Sequence, residues 1–204
     1  MSTATEREDP RRARSRASVL EAAIAILRES GQPGLTIEAV AARSGVAKTT
    51  IYRHFADRDD LHIAALQAAA PEIRMPRTDD VVRDVVDFCV ALNDKLQHTE
   101  FGSVFATAID GAERSESLAE ILAGVGADRR RALDDRLRAA QQDGELPADL
   151  DLGIVTSQLV GTLFFRRFIS RQATSSVFVA KHVRMVLSPQ LQGPTTATAT
   201  GGGG

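Results

Sequence analysis

Between residues 48 and 54 the chain gathers side chains that donate hydrogen bonds and carry positive charge: Lys48, Thr49, Thr50, Tyr52, Arg53 and His54. Lys48 or Arg53 can donate to the O6 and N7 of guanine, or to a phosphate. Thr49 and Thr50 can reach a base edge or touch a thymine methyl, and Tyr52 and His54 can donate to phosphate oxygens. The spacing sorts these groups. Lys48 and Tyr52 are four apart, as are Thr49 and Arg53, so on a helix they share one broad polar face. Ile51 and Phe55 are also four apart and fall on another, apolar face. A helix divided in this way can be held on one side while the other enters a major groove.

The flanking elements can present such a helix. A first helix is expected from about Arg14 to Ser30, with Leu20, Ala23, Ile24 and Leu27 as its apolar stripe and Gly31 as its stop. After a turn at Gln32, Pro33 and Gly34, Thr36 is placed to cap a short helix from Ile37 to Ser44 by accepting from the free N–H groups of its first turn. That helix start is also an anion site. Ser44-Gly45-Val46 then forms the turn between two short helices, which is the helix-turn-helix pattern. The polar helix runs from about Ala47 to Phe55. Asp57 caps a fourth helix, from Arg58 to about Ala70, and Pro71 and Pro76 mark a domain boundary.

The domain reading is therefore a disordered arm over 1–12, a helix-turn-helix domain over 13–57 linked by helix 58–70, a second domain over 71–188 and a disordered tail over 189–204. The second part reads as helices at about 79–98, 101–109, 117–143, 150–170 and 176–187. The fold class is all-α. No fixed-period repeat is evident.

Composition narrows the function. The chain has 204 residues and a net charge of −2. From Arg11 to Arg58, nine Lys and Arg stand against four Asp and Glu, a net of +5; from Asp59 onward, fifteen stand against twenty, a net of −5. A basic block ahead of an acidic body suits one part that meets a polyanion and one that does not. Arg11, Arg12, Arg14 and Arg16 could follow a DNA backbone or enter a minor groove, or simply solvate a disordered arm. With aromatics at 4% and no Trp, a stacking surface for single strands is not expected. One cysteine excludes an intrachain disulfide framework and a Cys-rich zinc module. His62, His98 and His182 are too scattered for a metal site. There is no nucleophile motif, phosphate loop or cofactor-binding signature, so an enzyme has no support and no cofactor is expected. The polar, charged first residues do not form a signal peptide, and the longest plain apolar run, Leu159 to Phe165, is too short to span a membrane. The expected location is the cytoplasm.

The stretch GLTIEAVAARSGVAKTTIYRHFADRDDL resembles the DNA-binding region of the TetR family of bacterial transcriptional regulators. Thr36, Gly45, Val46, Thr50, Ile51, Tyr52, His54, Phe55 and Leu61 match the family pattern, and the likeness extends over roughly residues 14–66. Two positions depart from it. Ala47 stands where the family usually has a Ser N-cap, which forgoes roughly 0.5–2 kcal/mol and a phosphate donor. Arg58 stands where a Lys usually opens the fourth helix, and its guanidinium can still bind phosphate in a different geometry. The resemblance implies DNA contacts from Thr36, Lys48, Thr49, Thr50, Tyr52, Arg53, His54 and Arg58. It further implies a homodimer that binds a double-stranded operator, and a C-terminal domain that takes an unidentified small-molecule effector and dimerises. A repressor released by its effector is the expected mode; the alternative is a sequence-tolerant architectural DNA binder without an effector.

The apolar helix 150–170 carries one row of Leu152, Val155, Leu159 and Leu163 and another of Val160, Phe164 and Phe168. A helix with two apolar faces packs on two things. By the resemblance one is a partner subunit, with Phe178 and Val183 of the last helix completing the interface. The other reading is a central helix of a monomer. Phe88, Phe101, Phe105 and Phe164 are candidate pocket residues or plain core. Cys89 reads as a small buried hydrophobe, and the arginines 129–131 as a solvated face paired with Asp134 and Asp135.

Overall fold

A computed structural model describes residues 10–70 and 72–191. The elements are α1 (Pro10–Gly34), α2 (Ile37–Ser44), α3 (Lys48–His54), α4 (Arg58–Ala69), α5 (Val81–His98), α6 (Glu100–Ala112), α7 (Glu116–Gln142), α8 (Leu152–Phe164), a π-helical turn (Phe165–Ile169) and α9 (Ser176–Leu191). No strand occurs among the described residues.

Local signals set most of the helix ends. Thr36 caps α2, Asp57 caps α4 and Asp151 caps α8, each accepting from a backbone N–H of the first turn. Helix α1 starts earlier than its apolar stripe indicates: residues 10–12, expected in the arm, are helical. The remainder of the arm, residues 1–9, lies outside the described residues, as does the tail over 192–204; residues 189–191 belong to α9. Gly31, at φ 66°, breaks the helical path of α1, and the chain resumes a turn through Pro33.

The chain divides into two units: Met1–Glu72 with His98–Ala127, and Ile73–Gln97 with Asp128–Gly204. This division differs from a cut near Pro71, because α6 and the start of α7 join the N-terminal helices. The join is made by packing. Gly111 on α6 comes so close to its neighbours that a Cβ there would meet Leu118 Cδ2 at 2.5 Å and Gln32 Nε2 at 2.9 Å. His62 of α4 hydrogen-bonds Thr107 of α6 at 3.0 Å, and Ser115 donates to Asp59 at 2.6 Å. Burial pushes the His62 imidazole down to about 4, the opposing pull of Asp59 being the smaller effect. Val19, Ala23, Leu27, Leu35, Val40, Ile51, Leu61 and Leu66 fill the core of this unit.

In the second unit Arg136 is buried. Its Nε donates to Asp84 at 2.7 Å, its Nη1 to Glu145 at 3.1 Å and its Nη2 to the Thr78 carbonyl at 3.3 Å. Thr78 donates to Asp84 through both its N–H and its hydroxyl. Burial alone would raise the Asp84 carboxyl, but the hydrogen bonds from Arg136 and Thr78 outweigh it and hold the group below its ordinary value. The turn before α5 and the turn after α7 are thereby tied together. Asp134 accepts from Thr156, and Asp135 pairs with Arg138.

By length and composition, Leu152–Ile169 could cross a membrane, although no plain apolar run in the sequence is that long. Its inner row, Val155, Leu159 and Leu163, is buried in the unit's own core. Arg166 donates to Thr174 and Gln172, and Arg167 to the Leu96 carbonyl. One side of the segment is thus packed in the unit, while Ile154, Phe165 and Ile169 stay exposed. Cys89 is fully buried, and burial pushes its thiol up to about 12.

Candidate nucleic-acid interface

Helices α2 and α3 meet through Ser44, Gly45, Val46 and Ala47. Gly45 is left-handed at φ 70° and its N–H closes on the Ala41 carbonyl, which ends α2 within one residue. The Ser44 hydroxyl accepts from Val46 N–H at 3.2 Å. Ala47 occupies the N-cap of α3 and supplies no side-chain hydrogen bond. The helix is therefore held by packing: Ile51 and Phe55 are buried, and the Arg16 guanidinium covers the Phe55 ring at 5.5 Å.

The opposite face is open. Lys48, Thr49, Tyr52 and Arg53 are exposed, and Tyr52 shows 56% of its surface despite its large ring. Thr50 is half-buried one position off this face. Arg58 is exposed at the start of α4, and its Nε lies 3.8 Å from Asp59, a loose surface pair. The exposed donors and the buried anchor thus divide α3 in the way its spacing predicts.

Three of the sequence-predicted residues are engaged inside the unit. The Thr36 hydroxyl accepts from Ala39 N–H at 3.1 Å, so its oxygen serves the helix start. His54 is half-buried, and its Nε2 lies 2.9 Å from the Ser15 hydroxyl of α1. Lys48 is paired with Glu38 of α2 at 2.5 Å, with both side chains largely in solvent. The hydrogen bond from Lys48 holds the Glu38 carboxyl below its ordinary value. An exposed pair of this kind contributes about 0–1 kcal/mol, so the lysine can be drawn away. A second bridge joins α1 to α2, where Arg43 donates to both Glu29 oxygens at 2.5 and 2.7 Å.

Glu38, Ser15 and Glu29 were not picked out by sequence pattern. Their partners lie 10, 39 and 14 residues away, beyond any i, i+4 rule. For Glu38 a signal exists in retrospect: it is the acid in the first turn of α2, and the turn between the helices brings that turn to the start of α3.

The other candidate residues lie elsewhere. Of the four pocket candidates, Phe101 and Phe105 belong to the first unit, with their rings 5.6 Å apart, and Phe88 and Phe164 to the second. Phe88 is buried, while Phe164 is half-buried and rests on Phe168 at 5.7 Å. Of the six interface candidates, Val155, Leu159, Leu163 and Val183 are buried within the second unit, where α8 packs on α9. Val155 keeps 3% of its surface, and Leu159, Leu163 and Val183 keep none in the single chain. Leu152 is half-buried. Phe178 is half-buried beneath the Arg166 guanidinium at 4.0 Å and stacks on His182. Among the described residues of this unit, Ile154, Phe165, Ile169, Val177 and Met185 are large apolar side chains exposed to solvent.

The chain is also similar to known proteins. Residues 19–65 match the profile for bacterial regulatory proteins of the tetR family. Residues 75–186, more than half of the chain, match a tetracyclin repressor-like C-terminal domain. The chain is similar to YdeS of Bacillus subtilis (strain 168), an uncharacterized HTH-type transcriptional regulator, at 27% identity over 177 residues, which cover 86% of this chain and 89% of that one. It is also similar to the crystal structure of the TetR family transcription regulator SCO0332, at 29% identity and a TM-score of 0.66, covering 85% of this chain and 97% of that one. Salmonella enterica GusR shares the fold at 22% identity, with a TM-score of 0.72 over 87% of this chain and 95% of that one.

Proposed function

The chain belongs to the TetR family of bacterial transcriptional regulators, and from that premise we propose that it is a ligand-responsive repressor acting on a specific DNA operator in the cytoplasm. The observation that carries this reading is the division of α3: Ile51 and Phe55 buried, Lys48, Thr49, Tyr52 and Arg53 exposed. Lys48 and Arg53 supply the cationic donors for guanine edges or phosphates, Thr49 and Thr50 the contacts to base edges and methyls, and Tyr52 and Arg58 the phosphate contacts that fix register. His54 and Thr36 act through the frame, one tying α3 to α1 and the other capping α2.

One head reads one half-site, and a homodimer reads two on the same face of the duplex. The second unit supplies the subunit contact through apolar side chains exposed on α8 and α9. It also takes the small-molecule effector, with Phe88 and Phe164 as candidate contacts. Effector binding favours a dimer whose heads no longer match the half-site spacing, and operator binding disfavours the effector by the same factor.

Selection of the full-length protein against a random duplex library at near-physiological salt tests the reading. The expected product is a palindrome with half-site centres about one helical turn, 10–10.5 bp, apart. No enrichment, with binding that collapses as salt rises, would instead identify a sequence-tolerant binder held by phosphate neutralisation.

A further inference from the structure

An acid stands beside the exposed face of α3. Glu38, in the first turn of α2, is 68% exposed, and its carboxylate holds the ammonium of Lys48, the first residue of α3. On a surface that approaches a polyanion, every phosphate repels such a group. It also occupies the one lysine of the reading helix, which a phosphate would otherwise take. A carboxylate can only accept hydrogen bonds. Phosphates and sugars offer it no suitable partner, while the major groove offers the amino groups of cytosine (N4) and adenine (N6).

We propose that Glu38 is a specificity-determining residue of the reading head. It competes with the backbone for Lys48 and disfavours any duplex that places neither a cytosine nor an adenine amino group opposite the first turn of α2. The proposal rests on the reading of α3 as the element that enters the groove. A charge-matched control lies in the same unit: Glu29 of α1 pairs with Arg43 in the last turn of α2, so its removal changes the net charge equally without touching Lys48.

The test measures binding of the full-length protein, by fluorescence anisotropy over a salt series, to two duplexes. One is the sequence enriched by the wild type from a random library, and the other is a shuffle of it with the same composition. Glu38→Gln should bind the shuffled duplex about tenfold more tightly near 0.1 M salt, with the log-log salt slope steeper by about one as Lys48 turns to a phosphate. Binding to the enriched duplex should change less than about threefold, so that discrimination falls. Glu29→Gln should leave both duplexes as they are. In a Lys48→Met background, the slope change caused by Glu38→Gln should vanish. An equal effect of Glu38→Gln and Glu29→Gln would overturn the proposal, as would unchanged discrimination in Glu38→Gln. If Tyr52→Ala and Lys48→Met both bind the enriched duplex like the wild type, the reading of α3 fails and this inference falls with it. If Tyr52→Ala weakens binding while Glu38→Gln leaves discrimination intact, only the role of Glu38 fails.

Discussion

His62 is the residue at which acid should first be felt. It is buried between α4 and α6 and its imidazole is held near 4, against an ordinary value of 6.5. The neutral ring is the one the folded unit accepts. Above pH 6.5 both folded and unfolded chains carry it neutral, and nothing is lost. As pH falls from 6.5 toward 4, the unfolded chain takes up the proton first, so stability declines across that window. Between pH 7 and 4.5, the wild type should lose about 2 kcal/mol more than His62→Gln, which can keep a hydrogen bond to Thr107. Urea denaturation at the two pH values measures this, and equal losses would contradict it. At this scale the sequence was legible wherever the partner is close in the chain. Thr36 and Asp57 cap helices three residues ahead of the N–H groups they accept from. The role of Arg136 was not legible, because its charged partner, Asp84, is 52 residues away.

Arg136 matters most for the elements it connects. Its guanidinium joins the start of α5 to the turn after α7, and Glu145 completes the link by accepting from Val81 N–H at 3.1 Å. Both charged side chains of the central pair are almost fully buried, at 3% and 0% exposed. Removing one partner leaves the other charged and dry with only part of its compensation, Thr78 for Asp84 and Glu145 for Arg136. Arg136→Met should therefore cost about 3–5 kcal/mol, and Arg136→Met with Asp84→Leu should recover much of it, because an apolar pair needs no compensation. Chemical denaturation of the three variants measures the coupling, and simple additivity of the two substitutions would refute it. Element ends were mostly readable, since caps and left-handed glycines are local. The start of α1 was not: arginines at 11, 12 and 14 show no apolar period. Their helix continues because Ser15 reaches His54 and Arg16 lies over Phe55, contacts that only the folded unit provides.

At the scale of the whole molecule, the sequence showed that α8 has too much apolar surface for a single contact but not which row faces outward. Period alone gives two equivalent rows; the packing of α9 turns Val155, Leu159 and Leu163 inward and leaves Ile154, Phe165 and Ile169 in water. With Val177 and Met185 on α9, these are large apolar groups of the sort that subunit contacts cover. Phe165→Glu is expected to convert a dimer to a monomer in light scattering at micromolar concentration, with operator affinity reduced at least about tenfold because two linked heads become one. A Phe165→Glu protein that remains dimeric would move the contact to another face. Membership of α6 in the first unit was likewise invisible, being set by the close approach at Gly111 rather than by any local pattern. The lone buried cysteine has a practical side. A thiol held near 12 stays protonated and sealed at neutral pH, so the native chain is already a silent background for maleimide chemistry. A single cysteine placed at Arg53 would be the one reactive site per chain. The separation of two reading heads could then be followed spectroscopically, as an effector is added, without first rebuilding the protein.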